Sequence, residues 1–86
     1  MVCSVEISMY PLKENFKPSI IVFIKNLRKY PFIKVTTNGM STQVFGEYKR
    51  VMNAINTEIE NTFLNENSVV FNLKVINSDL EKKPNF

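Results

Sequence analysis

A chain of 86 residues has room for one compact domain with one modest core, and not for two. Hydrophobic residues make up 44% of it and charged residues 22%, a balance that argues against disorder, and no apolar run approaches the roughly 20 residues needed to cross a bilayer. The opening Met1-Val2-Cys3-Ser4-Val5-Glu6 lacks a basic region ahead of a hydrophobic one, so the chain is expected to stay in the cytoplasm.

The formal charge is +3, with the surplus in the first half: residues 1–46 carry six Lys/Arg against two acids, and residues 47–86 carry five against six. A balance this mild reads as a solvated surface rather than as a nucleic-acid site. Cys3 is the only cysteine and there is no histidine. These absences exclude an internal disulfide, an imidazole base, a Cys-His pair and any His-containing metal site.

Val2–Tyr10 alternates, with Cys3, Val5, Ile7 and Met9 on one side and Ser4, Glu6, Ser8 and Tyr10 on the other, the period of a strand with one buried and one polar face. Pro11 ends it. Pro18 suits the first turn of a helix, which is expected to run to about Tyr30, with Ile20, Ile24 and Leu27 on one face and Ile21 and Phe23 broadening it. Pro31 closes this helix.

Phe32–Asn38 is the second expected strand and Met40–Phe45 the third, joined by Asn38-Gly39, two residues that tolerate φ > 0 and signal a hairpin. In the third strand Thr42 and Val44 are assigned inward, because the alternative buries Gln43. A second helix is expected from Glu47 to about Leu64, with Glu47 against the positive end of the dipole and an apolar stripe of Tyr48, Val51, Met52, Ile55, Ile59 and Phe63. The last strand, Ser68–Ile76, places Val69, Phe71, Leu73 and Val75 inward. Residues 79–86, charged and proline-containing, read as a polar tail outside a domain of residues 1–78.

The order βαββαβ closes as an α+β, ferredoxin-like sandwich: two helices on one face of a four-stranded antiparallel sheet, with the first and third strands as central neighbours. The uncovered face then carries Ser4, Glu6, Ser8 and Tyr10 beside Ser41, Gln43 and Phe45, flanked by Thr36, Asn72 and Lys74. A mid-strand carboxylate such as Glu6, set among hydroxyls, either pairs with Lys74 across the sheet or accepts hydrogen bonds from a ligand.

Val5-Glu6-Ile7-Ser8-Met9-Tyr10-Pro11-Leu12 and Asn38-Gly39-Met40-Ser41-Thr42-Gln43-Val44-Phe45-Gly46-Glu47-Tyr48 together resemble the YkoF-like thiamine- and hydroxymethylpyrimidine-binding proteins and their single-domain, MTH1187-like relatives. The resemblance implies a non-catalytic domain that holds thiamine or its hydroxymethylpyrimidine moiety as a bound ligand, with no cofactor and no metal. It makes Glu6, Ser8, Tyr10, Met40, Ser41, Thr42 and Gln43 the candidates for ligand contact. It also implies a homo-oligomer, a dimer or tetramer formed through sheet faces or edges, since YkoF-type chains carry two such domains and this chain has one.

Three other classes compete. A ligand-free assembly module would use the open face only for packing. A small ferredoxin-like enzyme of the acylphosphatase kind needs a glycine-rich, arginine-bearing loop after the first strand, and Pro11–Lys17 has neither feature. An RNA-binding sheet needs several aromatic and basic residues on its central strands, where Ser41 and Gln43 stand instead.

Overall fold

A computed structural model describes residues 1–86. The elements follow in the order β1 (Val2–Pro11), α1 (Lys17–Arg28), β2 (Ile33–Thr37), β3 (Thr42–Glu47), α2 (Tyr48–Asn65) and β4 (Val69–Ile76). The four strands form one antiparallel sheet in the order β2-β3-β1-β4, with both helices on one face, which is the ferredoxin-like arrangement. Cys3, Val5, Ile7 and Met9 of β1 and Val44 of β3 are buried against Phe23 and Leu27 of α1 and Val51, Ala54 and Ile55 of α2. Thr42 lies on the same inner face and is buried.

The turn chemistry differs from expectation. Neither Asn38 nor Gly39 has a positive φ. The β2–β3 connection is the four residues Asn38–Ser41, in which the Asn38 carboxamide oxygen accepts from the amides of Met40 (2.8 Å) and Ser41 (3.2 Å). This Asx-type organisation replaces the two-residue turn, so β3 starts later than the hydrophobic alternation suggested. It also runs on through Gly46 to Glu47.

Gly46 is where the backbone imposes a choice of residue. Its φ is +156°, and a Cβ there would lie 3.1 Å from the Phe32 carbonyl oxygen and 3.2 Å from Val51 Cγ2. Phe32 itself has φ 67°, a costly conformation for a bulky side chain, and its exposed ring is covered by the Arg50 guanidinium at 4.4 Å. Immediately afterwards Glu47 caps α2, its carboxylate accepting from the Lys49 amide at 2.6 Å.

Both helices are rotated slightly from their expected faces. At about 100° per residue the α1 stripe centres on Ile20, Phe23, Ile24 and Leu27, which leaves Ile21 on the flank and exposed. In α2 the centre of the stripe runs through Val51, Ala54, Ile55 and Glu58, so Tyr48 and Phe63 sit at its exposed margin. The buried Glu58 carboxylate accepts from the Tyr30 hydroxyl at 2.7 Å, which satisfies it and pushes the Tyr30 hydroxyl above its ordinary range. On β4, Leu73 and Val75 face the helix layer as expected but extend past its cover and stay exposed.

Two outcomes follow from this packing. Gly46→Ala is expected to cost about 1–3 kcal/mol in a denaturant titration, because it adds both strain and a clash. Tyr30→Phe is expected to cost about 1–3 kcal/mol by leaving Glu58 buried without its donor, and an unchanged midpoint would show that water replaces the hydroxyl.

Candidate functional site

Strand β1 is ten residues long and β3 only six, and their register ends at Ile7↔Thr42. Ser8–Pro11 therefore pair with β4 on one side and have no strand on the other. The gap opens into a groove of about 550 Å³ at this end of the molecule. Tyr10 and Leu12 from β1 and its exit, Phe16 and Ile20 from the start of α1, and Met40 from the β2–β3 loop give it largely apolar walls. Ser8 and Ser41 add hydroxyls at its edge on the open sheet face.

Ser41 joins this groove to the middle of the sheet. Its Oγ donates to Glu6 Oε2 at 2.8 Å and accepts from Gln43 Nε2 at 2.8 Å. Glu6 and Gln43 face each other across β1 and β3, in a row that continues to Thr36 on β2 and Lys74 on β4. Lys74 Nζ stands 3.5 Å from Glu6 Oε1, so the cross-strand ion pair exists alongside the hydroxyl contact. The Ser41 hydrogen bond first, and the Lys74 charge second, hold the Glu6 carboxyl below its ordinary value. Glu6, Gln43, Phe45, Lys74 and Ile76 also line a smaller recess of about 240 Å³ next to the groove.

All seven residues singled out in the sequence thus line one groove or its neighbouring recess. Glu6, Ser41 and Gln43 form a connected network, while Ser8, Tyr10 and Met40 line the adjoining wall. Thr42 lines the groove from its buried side: it lies on the inner face, and its hydroxyl is 2.9 Å from that of Thr37, so it also supports the loop from beneath. The apolar wall of Leu12, Phe16 and Ile20 and the organising role of Asn38 were not among the sequence candidates. The greater length of the apolar alternation in β1 than in β3 was the signal for the wall.

No group of three or more His, Cys, Asp or Glu side chains converges as metal ligands would. Burial pushes the Cys3 thiol up, away from the reactive thiolate. The chemistry on offer is one ionised carboxylate, one amide, hydroxyls and a thioether-and-aromatic wall, which suits reversible capture of a flat polar ring.

No protein-family model matches the sequence, and no curated protein matches it significantly. Solved structures do. Hypothetical protein MJ1052 of Methanocaldococcus jannascii superposes with a TM-score of 0.77 at 23% identity, over 94% of this chain and 84% of that one. The chain has the fold of this protein. TM0486 of Thermotoga maritima, described as a candidate thiamine biosynthesis/salvage protein, gives a TM-score of 0.78 at 18% identity, over 87% of this chain and 82% of its own. A domain of unknown function, DUF77, from Bacillus cereus gives 0.75 at 11% identity, over 93% and 79%. No helix is long and apolar enough to cross a membrane.

The network makes a direct prediction. Ser41→Ala is expected to raise the Glu6 titration midpoint toward 4.5, as followed by carboxyl NMR shifts. An unmoved midpoint would mean that Ser41 does not hold the carboxylate.

Proposed function

We propose that this chain is a single-domain relative of the YkoF-like and MTH1187-like proteins that binds thiamine or its hydroxymethylpyrimidine moiety without catalysis. The observation that carries the reading is the Glu6–Ser41–Gln43 network at the edge of an apolar groove. An aminopyrimidine needs an acceptor for its exocyclic amine, which the free lone pairs of Glu6 supply. It also needs a donor or acceptor at a ring nitrogen, which Gln43 or Ser41 supplies. Tyr10 and Met40, both largely exposed on the groove wall, can cover the ring faces. The Thermotoga neighbour's description in terms of thiamine biosynthesis or salvage lends the ligand class support.

The protein is proposed to work as a homo-oligomer. Strand β4 is an edge of eight residues whose Val70, Leu73, Val75 and Ile76 are each 40–46% exposed, on both faces of the sheet. Natural sheets seldom leave so long and apolar an edge unpaired, and a second copy pairing along β4 would cover it. That same edge is the specific observation favouring the alternative of an assembly module without a ligand.

Titration calorimetry with hydroxymethylpyrimidine, thiamine and the thiazole moiety separates the two readings. Binding of the first two and not the third is expected, and no heat and no thermal stabilisation with any of them would reject the binding function. Glu6→Gln is expected to weaken binding at least tenfold, since it removes a charged hydrogen-bond acceptor. Because the Glu6 carboxyl is held below 4.5, the contribution of its charge to binding is fully present above that pH and is lost as the pH falls through the lowered folded value. A loss of affinity already at pH 6 would place the titrating group elsewhere.

A further inference from the structure

The open sheet face is not bare along its whole length. Beyond β4 the chain turns back at Asn77 and Ser78 and crosses the sheet along one cross-strand row, which the registers give as Lys34–Phe45–Ser4–Ile76, one residue from each strand. Ser4 is at the centre of the crossing: its Oγ donates to the Ser78 carbonyl at 2.7 Å and accepts from the Leu80 amide at 2.9 Å. Leu80 lies against the recess that Phe45 and Ile76 line, and Glu81 reaches the far edge strand to pair with Lys34. The Glu81 amide donates to Asp79 Oδ1 at 3.1 Å, which holds the segment in its turn. A serine in mid-strand, expected on an open face, is thereby only 6% exposed.

We propose that the Lys34–Phe45–Ser4–Ile76 row is a docking surface for an extended Ser-Asp-Leu-Glu segment, filled in this structure by residues 78–81 of the same chain, and that the docked segment keeps a second copy from stacking its sheet on this face. The fit depends on sequence at several points. One hydroxyl fixes register by meeting a carbonyl and an amide two residues apart, a leucine lies against the recess that Phe45 and Ile76 line, and an acid answers the lysine at the end of the row.

The hold is nevertheless modest. Leu80 remains 56% exposed and the Lys34–Glu81 pair is solvent-facing, so added salt weakens the latch. Release would bare Phe45 and Ile76 on either side of Ser4. The neighbouring row, Thr36–Gln43–Glu6–Lys74, presents an acid and a base together, the self-complementary pattern that a two-fold contact between copies requires. A second sheet stacked over that row would also cover the adjacent strap row, so strap and second sheet exclude each other. This surface shares only Ile76 with the β4 edge, and the inference does not depend on the ligand.

Sedimentation velocity on the full chain and on a chain ending at Asn77 tests it, with a synthetic peptide of residues 78–86 added back. The shortened chain is expected to self-associate at least tenfold more tightly, and excess peptide to return it to the behaviour of the full chain. Full-length Leu80→Asp should behave like the shortened chain and lose amide-exchange protection at residue 80; it decides the matter by the same criterion should the shortened chain fail to fold. A folded shortened chain that associates no more tightly than the full one, or a peptide that leaves its association unchanged, would overturn the proposal.

Discussion

The groove exists because two neighbouring strands differ in length. Strand β1 continues past the last residue it shares with β3, and the chain has to leave β2 and return to β3 across that gap through Asn38–Ser41. A backbone edge without a strand partner is costly unless water or a ligand satisfies it. Here it becomes one side of a groove, and the loop that spans it carries Met40 and Ser41 to the opposite side. Almost every candidate contact follows from this mismatch. The remaining two, Glu6 and Gln43, face each other one row further along the paired sheet.

The other end of the same strands is organised for rigidity rather than access. Gly46 admits the Phe32 carbonyl and the Val51 side chain against the backbone, Glu47 caps α2, and the Tyr48 amide donates to the Met1 carbonyl at 2.8 Å. The tail crosses the open face on this half of the sheet through Ser4. The open face is thus divided lengthwise: one half closed by the chain's own carboxyl-terminal segment, the other ending at the groove.

Strand order, the inward side of β1 and β3 and the start of α2 were legible in the sequence, because each rests on a period or a cap that a short window contains. The closeness of Glu6 to Ser41 and Gln43 was legible only as two polar faces on neighbouring strands. The bridging hydroxyl depends on a loop geometry that Asn38 sets, where Asn-Gly pointed to a different turn. Glu58 was hidden because a single acid within an apolar stripe reads as a solvated position, and the Tyr30 hydroxyl that satisfies it comes from another element. The docking of the tail was hidden for a related reason. Charge and proline near a terminus describe how the segment behaves alone, whereas its contacts with Ser4 and Lys34 span more than 40 residues of sequence.

A small heteroaromatic ligand is proposed to be held where Ser41 links the groove to Glu6. Amide and side-chain shifts in a 15N-labelled sample, recorded during addition of hydroxymethylpyrimidine, test it most directly. Saturable changes are expected at Ser8, Tyr10, Met40, Ser41 and the Gln43 carboxamide, with the α1–α2 surface around Asn61 and Asn65 unmoved. No saturable change at those residues, or changes centred on the helix layer, would contradict it.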